Sequence, residues 1–329
     1  MSDDINTHPI ALVLGASGGI GGYLARGLVA RGWRVRALSR RAADAAKVEN
    51  AFEWVDGDAM RAADVRQAAE GVSLIVHAVN PPGYRNWGQL VLPMLDNSIA
   101  AARATGARIL LPGTVYNFGP DALPVIREDS PQHPVTVKGG IRVVMEQRLA
   151  AAATEGIGVI IVRAGDFFGP RAGNSWFSQG MLTPGKPVTS ITSPGQVGIG
   201  HQWAYLPDVA ETMLRLVDVA EGLPRFAVYH MRGFWDADGT QMVDAIRRVV
   251  GRPVKRRSFP WWMVPLAAPF VPFLREVREM AYLWRLPVEM QNEKLLAVLG
   301  DEPQTPIDDA VRATLTDLGC FNKTAASGR

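Results

Sequence analysis

The stretch Gly15-Ala-Ser-Gly18-Gly-Ile-Gly21 decides the fold of this 329-residue chain. It follows an apolar run from Ile10 to Leu14 and opens a segment with helical spacing of apolar residues. Glycines between a strand and a helix let the backbone turn tightly and approach a pyrophosphate, whose charge is favoured at the helix N-terminus. In this strand–turn–helix context the GxxGxxG spacing predicts a dinucleotide-binding turn. The cofactor contacts predicted here are Gly15, Ser17, Gly18, Gly19, Ile20 and Gly21.

Outward from this turn, short apolar runs alternate with helical patterns through the first half of the chain. Continuous apolar strands that alternate with helices are typical of a parallel sheet covered on both faces. The sequence therefore predicts an α/β fold, a doubly wound parallel sheet of the Rossmann type, with a smaller, mainly helical C-terminal substrate lobe. The predicted strands are 10–14, 33–38, 52–55, 73–78, 108–111, 159–162 and 226–230.

The pattern changes near residue 165, which indicates the domain organisation. Residues 165–200 are rich in Gly, Pro, Ser and Thr and show little periodicity, and sheet-like segments recur after them. We expect a dinucleotide-binding domain at 1–165, to which residues 205–230 return. We expect the substrate lobe to comprise 166–204 and 231–322, followed by a disordered tail at 323–329.

The end of the second predicted strand bears on which dinucleotide is bound. NAD sites commonly hold the ribose 2′-hydroxyl with an acidic residue about 20 residues past the glycines. This chain instead reads Ala37-Leu38-Ser39-Arg40-Arg41, with two guanidinium groups and no acid. Because arginine binds phosphate in a bidentate manner, the sequence favours NADP(H) over NAD(H), with Arg40 and Arg41 on the 2′-phosphate. A solvated basic turn before a helix is the alternative.

Two later strand ends add predicted cofactor contacts. Asp58, followed by Ala59, comes after the third strand and is placed to bond the adenine amino group, although an ordinary helix N-cap also explains it. The segment Ala78-Val79-Asn80 follows the fourth strand and would pass beneath the cofactor.

Composition argues against several classes of protein. Lys+Arg 35 against Asp+Glu 32 gives a formal charge of +3, too small an excess for a surface that tracks nucleic acid. The single cysteine, Cys320, excludes an internal disulfide framework, and the five scattered histidines predict no metal site. The N-terminus carries two acids and no basic region of a secretory signal, so we expect a cytoplasmic protein.

One apolar run, Ser258 to Leu274, raises the question of membrane contact. It is shorter than the roughly 20 residues of a membrane span and contains four prolines, so no span is expected. A basic cluster (Arg252, Lys255, Arg256 and Arg257) precedes it and permits contact with a membrane surface. The interpretation we adopt is a hydrophobic helical lobe that covers a ligand cleft.

Several of these segments resemble the extended and atypical short-chain dehydrogenase/reductase superfamily, which contains NAD-dependent epimerases, dehydratases and reductases. Beside the glycine turn, the resemblance is carried by Pro112-Gly-Thr-Val-Tyr116, Val162-Arg-Ala-Gly-Asp-Phe-Phe-Gly-Pro170 and Trp203-Ala-Tyr-Leu-Pro-Asp208-Val-Ala210. It covers about residues 10–250. It implies further cofactor contacts at Pro112, Ala164, Gly165 and Phe167. It also implies a homodimer through the helices at 88–104 and 140–153, the pair that members of this family often use.

The catalytic helix departs from the superfamily pattern Tyr-xxx-Lys, because the matching segment reads Lys138-Gly-Gly-Ile-Arg142-Val-Val-Met-Glu146 and lacks the tyrosine. It is similar to the Lys-xxx-Arg-xxx-Glu of the isoflavone-reductase-like branch, whose lysine is regarded as the general acid/base. That similarity implies Lys138 as the general acid/base and Lys138 and Arg142 as cofactor contacts, with Thr114 and Tyr116 as nearby hydroxyls. The alternative is a surface helix with an Arg142–Glu146 pair and an idle Lys138.

The sequence thus predicts an NADPH-dependent oxidoreductase that reduces a small or mid-sized carbonyl or conjugated substrate. One alternative is a nucleotide-sugar epimerase or dehydratase, against which the scarcity of Lys and Arg in 165–200 argues, since a diphosphate is bound by cations. The other is a non-catalytic NADP(H)-sensing protein, which the missing tyrosine favours. Side chains that could line an apolar substrate pocket, or simply pack between lobes, are Trp87, Trp176, Phe177, Trp203 and Tyr205.

Overall fold

A computed structural model of the chain describes residues 8–81, 86–173, 175–267 and 278–321. The strands are β1 (Ile10–Leu14), β2 (Arg34–Ser39), β3 (Glu53–Asp56), β4 (Leu74–His77), β5 (Arg108–Pro112), β6 (Val125–Ile126), β7 (Val159–Arg163), β8 (Asp166–Phe168), β9 (Ser190–Ser193), β10 (His201–Tyr205), β11 (Phe226–His230), β12 (Phe234–Asp236), β13 (Lys255–Ser258) and β14 (Glu289–Met290). The helices are α1 (Gly19–Ala30), α2 (Ala42–Val48), α3 (Ala62–Ala68), α4 (Trp87–Thr105), α5 (Val137–Thr154), α6 (Leu206–Asp218), α7 (Gln241–Val250), α8 (Val264–Ala267), α9 (Glu293–Leu299) and α10 (Ile307–Asp317).

Seven strands form one central sheet in the order β11-β7-β5-β4-β1-β2-β3. β4 is the central strand, and β1 lies next to it, where Ala11 pairs in parallel register with Val35 of β2 and with Leu74 of β4. The strands β4 and β7 are buried along their whole length, and β1 is buried after its first residue. Burial on both faces explains why these strands are continuous apolar runs in the sequence. The predicted doubly wound α/β fold is confirmed.

The chain divides into two compact units. The first comprises 1–113, 143–162 and 210–228 and holds nearly all of the seven-stranded sheet. The second comprises 114–142, 163–209 and 229–329 and contains three small sheets, β12-β10-β8, β13-β9 and β14-β6. Most of these strands are too short to produce a period-two pattern, so the sequence did not reveal them. The domain boundaries inferred from the sequence stay a prediction.

The second unit is built around an aromatic-rich core. Phe168 of β8, Trp203 of β10, Ile246 of α7 and Leu315 of α10 belong to one buried cluster. Phe168 stacks on Phe177 at a ring-centroid distance of 5.7 Å and meets Trp203 edge to face at 6.3 Å. Offset and edge-to-face contacts of this kind add to the stability that buried area provides.

The two longest helices of the described chain are α4 and α5, of 19 and 18 residues. They correspond to the segments for which a dimer contact was predicted, and that use stays a prediction. Within the described ranges, no helix combines the length and the apolar character that crossing a membrane requires.

Candidate functional site

The glycine turn lies where β1 ends and α1 begins. Gly15 has a φ of +95°, a left-handed conformation that favours glycine. A Cβ on Gly15 would lie 2.6 Å from the carbonyl oxygen of Ala78, and a Cβ on Gly21 would lie 2.2 Å from the carbonyl oxygen of Gly15. Neither position can carry a side chain unless the backbone moves. The turn, the end of β4 and the first turn of α1 therefore pack backbone against backbone.

The N-terminus of α1 opens next to this turn. Gly18 is the N-cap residue, its backbone is extended, and its amide donates to the Gly15 carbonyl at 2.9 Å. No side chain caps this end of α1, and its first turn contains no acid. The amide groups of such a helix start carry a partial positive charge that favours an anion. The geometry fits a pyrophosphate.

A cleft of about 950 Å³ lies beside the turn, within the first unit. Its lining residues follow β1, β2, β3 and β4, the edge at which open α/β sheets bind ligands. The predicted cofactor residues that line it are Gly15, Ser17, Arg40, Arg41, Asp58, Ala59, Val79 and Asn80. The predicted residues of the first unit that do not line it are Gly18, Gly19, Ile20, Gly21, Ala78 and Pro112. The cleft thus gathers four chain segments that the sequence had assigned separately.

The basic turn after β2 forms one wall of this cleft. Arg40 and Arg41 are both exposed, and the Arg41 amide donates to the Ser39 hydroxyl at 3.1 Å, which holds the turn. Asp44, in the first turn of α2, also lines the cleft and was not identified from the sequence. Its carboxylate accepts from Lys47 at 3.0 Å, so a neighbouring cation balances its charge.

The loop after β3 also lines this cleft. Asp58 Oδ1 accepts from the Met60 amide at 3.0 Å, and the Asp58 amide donates to Asp64 at 2.9 Å. Asn97 donates to the Ala59 carbonyl at 2.8 Å and fixes the same loop from α4. The Asp58 carboxylate therefore stabilises its own turn, but it does not cap α3, whose N-cap residue is Arg61. Asp64 and Asn97 gave no signal in the sequence, because their roles depend on which loop they reach.

The predicted catalytic residues all belong to the second unit. Thr114 caps a 3₁₀ turn by accepting the Tyr116 amide at 3.3 Å. Gly139, in the first turn of α5, lies so close to this turn that a Cβ would be 2.3 Å from the Tyr116 carbonyl oxygen. Lys138 is 3% exposed and Glu146 is also buried, so the alternative of a solvated surface helix is wrong. Lys138 is a buried amine at the start of a helix that packs on the Thr114–Tyr116 turn.

A carboxylate that the sequence analysis did not identify faces this amine. Glu279 Oε2 lies 4.0 Å from Lys138 Nζ, and the Glu279 side chain is 32% exposed. Oε2 itself is buried and makes no hydrogen bond to the described residues. A separation of 4.0 Å is longer than a hydrogen bond but short enough for strong charge attraction. The sequence could not reveal the pair, because 140 residues separate its members.

Arg163, in the Val162–Pro170 segment, is buried and held by contacts with its neighbours. Arg163 is among the largest fully buried side chains, and its guanidinium meets His230 Nε2 at 3.1 Å and the Glu128 carbonyl at 3.3 Å. It also lies over the Phe118 ring at 5.1 Å. Burial, with Arg163 adding to the effect, lowers the pKa of His230 to about 3, so this imidazole is neutral at pH 7. The remaining predicted contacts, Ala164, Gly165 and Phe167, follow it in the second unit.

Four of the five predicted pocket aromatics lie together in the second unit, and Trp87 lies in the first as the buried start of α4. Phe177 and Trp203 belong to the buried core, whereas Tyr205 lines a cavity of about 320 Å³ together with Phe168, Phe234 and Thr305. Outside this cavity, His201 Nε2 donates to Asp166 Oδ2 at 2.8 Å, and the imidazole stacks on Trp284 at 3.7 Å. This aromatic cavity is one candidate for part of a substrate site.

Comparison with known proteins adds the family. The model of the NAD dependent epimerase/dehydratase family matches residues 11–230. A Streptomyces 3-diazoavenalumate denitrifying reductase is 30% identical over 178 residues, 49% of this chain, and the match spans 57% of that reductase's length. A candidate dihydroflavonol 4-reductase of Synechocystis is 25% identical over 311 residues, 90% of this chain and 82% of its own. The solved UDP-glucuronic acid 4-epimerase of Bacillus cereus, in complex with NAD, has a TM-score of 0.74 at 13% identity, covering 94% of this chain and 98% of its own.

The glycine packing gives a first testable expectation. Gly21→Ala should lower the free energy of unfolding by roughly 1–3 kcal/mol, because the new Cβ meets the Gly15 backbone. Gly140→Ala, in α5, is the matched control, since no atom of the described residues beyond its own stretch of helix would lie within 4 Å of its Cβ. Denaturant unfolding measures both variants. Equal stability of Gly21→Ala and the wild type would contradict the close approach.

Proposed function

The chain belongs to the NAD-dependent epimerase/dehydratase family, and on that premise we propose that it is an NADP(H)-dependent reductase of a small or mid-sized carbonyl or conjugated substrate. The observation that carries the proposal is the burial of the Lys138 side chain at the start of α5, the helix on which the superfamily carries its Tyr-xxx-Lys. The next residue, Gly139, packs against the Thr114–Tyr116 turn. The relatives described as reductases support this class of reaction over sugar epimerisation.

The cofactor part of the proposal rests on the first unit. A Cβ would fill the close approaches at Gly15 and Gly21, and the uncapped start of α1 offers amide groups to a pyrophosphate. Arg40 and Arg41 line the same cleft and are exposed, which suits contact with a 2′-phosphate. A nicotinamide dinucleotide bound there would supply the hydride. Within the cofactor proposal, Arg40 and Arg41 are the residues that support a preference for NADP(H) over NAD(H).

The proton part rests on the second unit. Lys138 would donate a proton from Nζ to the substrate oxygen as negative charge develops there, and its burial excludes water that would weaken this contact. The Thr114 hydroxyl accepts the Tyr116 amide, so the turn against which Gly139 packs is held in place. Arg142, one helical turn after Lys138, is proposed to contact cofactor. Glu279 would return a proton to Lys138 from solvent, because its side chain is 32% exposed and its buried Oε2 faces the amine.

The two rival functions make different demands on the chain. A nucleotide-sugar enzyme needs cations for a diphosphate, and residues 165–200 hold only Arg171 and Lys186, both exposed. A non-catalytic NADP(H)-sensing protein would need no buried amine at this position. Both rivals remain outcomes of the experiments below.

Arg40 tests the choice of dinucleotide. Arg40→Ala should weaken NADPH binding by about 10- to 100-fold and leave NADH binding almost unchanged, since a charge-assisted hydrogen bond to phosphate contributes about 1.5–3 kcal/mol. Arg66→Ala is the control, because Arg66 is exposed on α3 and does not line the cleft. Calorimetric titration of both dinucleotides measures the effect. An equal loss for NADPH and NADH would remove the assignment to the 2′-phosphate.

Lys138 tests the acid/base role. Lys138→Met keeps the buried volume and removes the proton, so kcat for reduction of a panel of ketones and enones should fall about 10²- to 10⁴-fold while the Kd for NADPH stays nearly constant. Lys186→Met, at an exposed lysine, is the control. Undiminished turnover by Lys138→Met would refute the role. Tight NADPH binding by the wild type without turnover of any carbonyl would favour the sensing protein.

Glu279 tests the return of the proton. Glu279→Gln should lower kcat about tenfold and move the alkaline decline of the kcat–pH profile to lower pH, because the carboxylate favours the protonated amine. The KM for NADPH should not change. Glu293→Gln, in the first turn of α9, is the control. A profile identical to that of the wild type would leave Glu279 with a structural role only.

A further inference from the structure

The segment 251–266 combines exposed apolar side chains with unbalanced positive charge. It holds Arg252, Lys255, Arg256 and Arg257 and no acidic residue. Without these four residues the chain has 31 Lys+Arg against 32 Asp+Glu, so this one segment accounts for the whole positive excess. From it we propose that the protein docks peripherally on an anionic lipid surface, with the 3₁₀ turn Trp261–Met263 and helix α8 as the anchor. The proposal does not depend on the proposed reductase function.

The turn is fixed to the second unit from one side. Trp261 Nε1 donates to the Pro194 carbonyl at 2.8 Å, and the Trp261 ring lies 4.8 Å from Phe259 and 5.7 Å from Trp176, centroid to centroid. Val264, three residues later, is buried. Trp261 and Val264 therefore form the inner face of this turn. The exposed side chains of residues 262, 263 and 266 form its outer face.

Three large apolar side chains form the outer face. Trp262 is 72% exposed, Met263 47% and Leu266 68%. The expectation that this apolar run forms a lobe covering a ligand cleft does not extend to these three residues, because their side chains are exposed. The part of the run at 268–274 lies outside the described residues. Neighbouring exposed apolar side chains on a fixed turn indicate a contact surface rather than a core.

The charges next to this turn select the partner. Arg256 is tied inward, since it donates to the Ser193 hydroxyl at 2.9 Å and to the Gly195 carbonyl at 3.1 Å. Strand side chains alternate, so Lys255 and Arg257 point away from Arg256, and both are exposed. A membrane-surface element typically combines tryptophan and leucine with lysine and arginine, which attract anionic headgroups. Trp262 and Leu266 fit the headgroup boundary, and Lys255 and Arg257 fit the phosphates.

Vesicle flotation with the full-length protein tests the proposal. We expect binding to phosphatidylcholine vesicles that contain phosphatidylglycerol, weaker binding at high salt, and little binding to phosphatidylcholine alone, because attraction to anionic lipid is screened by salt. No binding to the anionic vesicles, or equal binding to both vesicle types, would overturn the proposal.

Two double variants distinguish the contribution of charge to vesicle binding from the contribution of apolar side chains that insert into the lipid. Lys255→Gln with Arg257→Gln should weaken binding about 30-fold, since each cation near an anionic surface contributes about 1 kcal/mol. Trp262→Ser with Leu266→Ser should weaken it at least about tenfold through lost apolar burial. The matched controls, at exposed sites elsewhere, are Arg66→Gln with Arg127→Gln and Val48→Ser with Val197→Ser.

Each pattern of results has a definite meaning. Losses confined to the two test pairs support a docked turn, and unchanged melting temperatures show that the fold is retained. A loss for the charge pair alone would leave only diffuse electrostatic attraction and would overturn the anchor. Wild-type binding by both test pairs would place any lipid contact on another face. Retention of an acidic protein from solution with no vesicle binding would replace the lipid by a protein partner.

Discussion

The close contact between the backbones of Gly15 and Gly21 is the constraint on which the first unit depends. The helix α1 can follow β1 immediately only because Gly21 brings no Cβ against the Gly15 carbonyl, and Gly15 in turn lies against Ala78 after β4. This packing draws the ends of β1 and β4 together at the centre of the sheet. The cleft forms beside these strand ends, and the turns that follow β2 and β3 also line it. The dinucleotide geometry is thus a consequence of backbone packing, and the side chains then select the ligand.

Buried cations in the second unit fall into two environments. Arg163 is surrounded by a carbonyl, a neutral imidazole and an aromatic face, all of which stabilise a fixed guanidinium. Lys138 is also buried, and the carboxylate oxygen that faces it, Oε2 of Glu279, lies 4.0 Å away on a side chain that is 32% exposed. Removing a charge from water is costly unless partners compensate it, so each of these two buried cations depends on the groups around it. The first surrounds a fixed guanidinium on several sides, whereas the second sets a buried amine against a partly exposed glutamate side chain.

The sequence predicted the parts of the structure that local patterns encode. The seven strands of the central sheet lie within a residue or two of their expected positions, because burial on both faces leaves uninterrupted apolar runs. The glycine turn and the residues after β1 to β4 were identified for the same reason, since strand ends are local. Glu279, Asp64 and Asn97 were missed because their partners lie far away in the chain or in loops whose position only the fold determines. The exposure of Trp262 was missed because composition cannot tell the inner from the outer side of a 3₁₀ turn.

Net charge is a weak guide to function in this chain, and its distribution is a strong one. The formal excess of +3 argued against nucleic acid, and it also concealed how the cations are arranged. Arg40 is exposed in a cleft that fits a phosphate, Lys138 is buried against a carboxylate, and Lys255 lies a few residues from an outward tryptophan. These three cations have the same formal charge, and their surroundings predict three different chemistries: anion recognition, proton transfer and attraction to a surface. The solvent exposure of a charge and the nature of the nearest opposite charge therefore say more about its role than the residue type does.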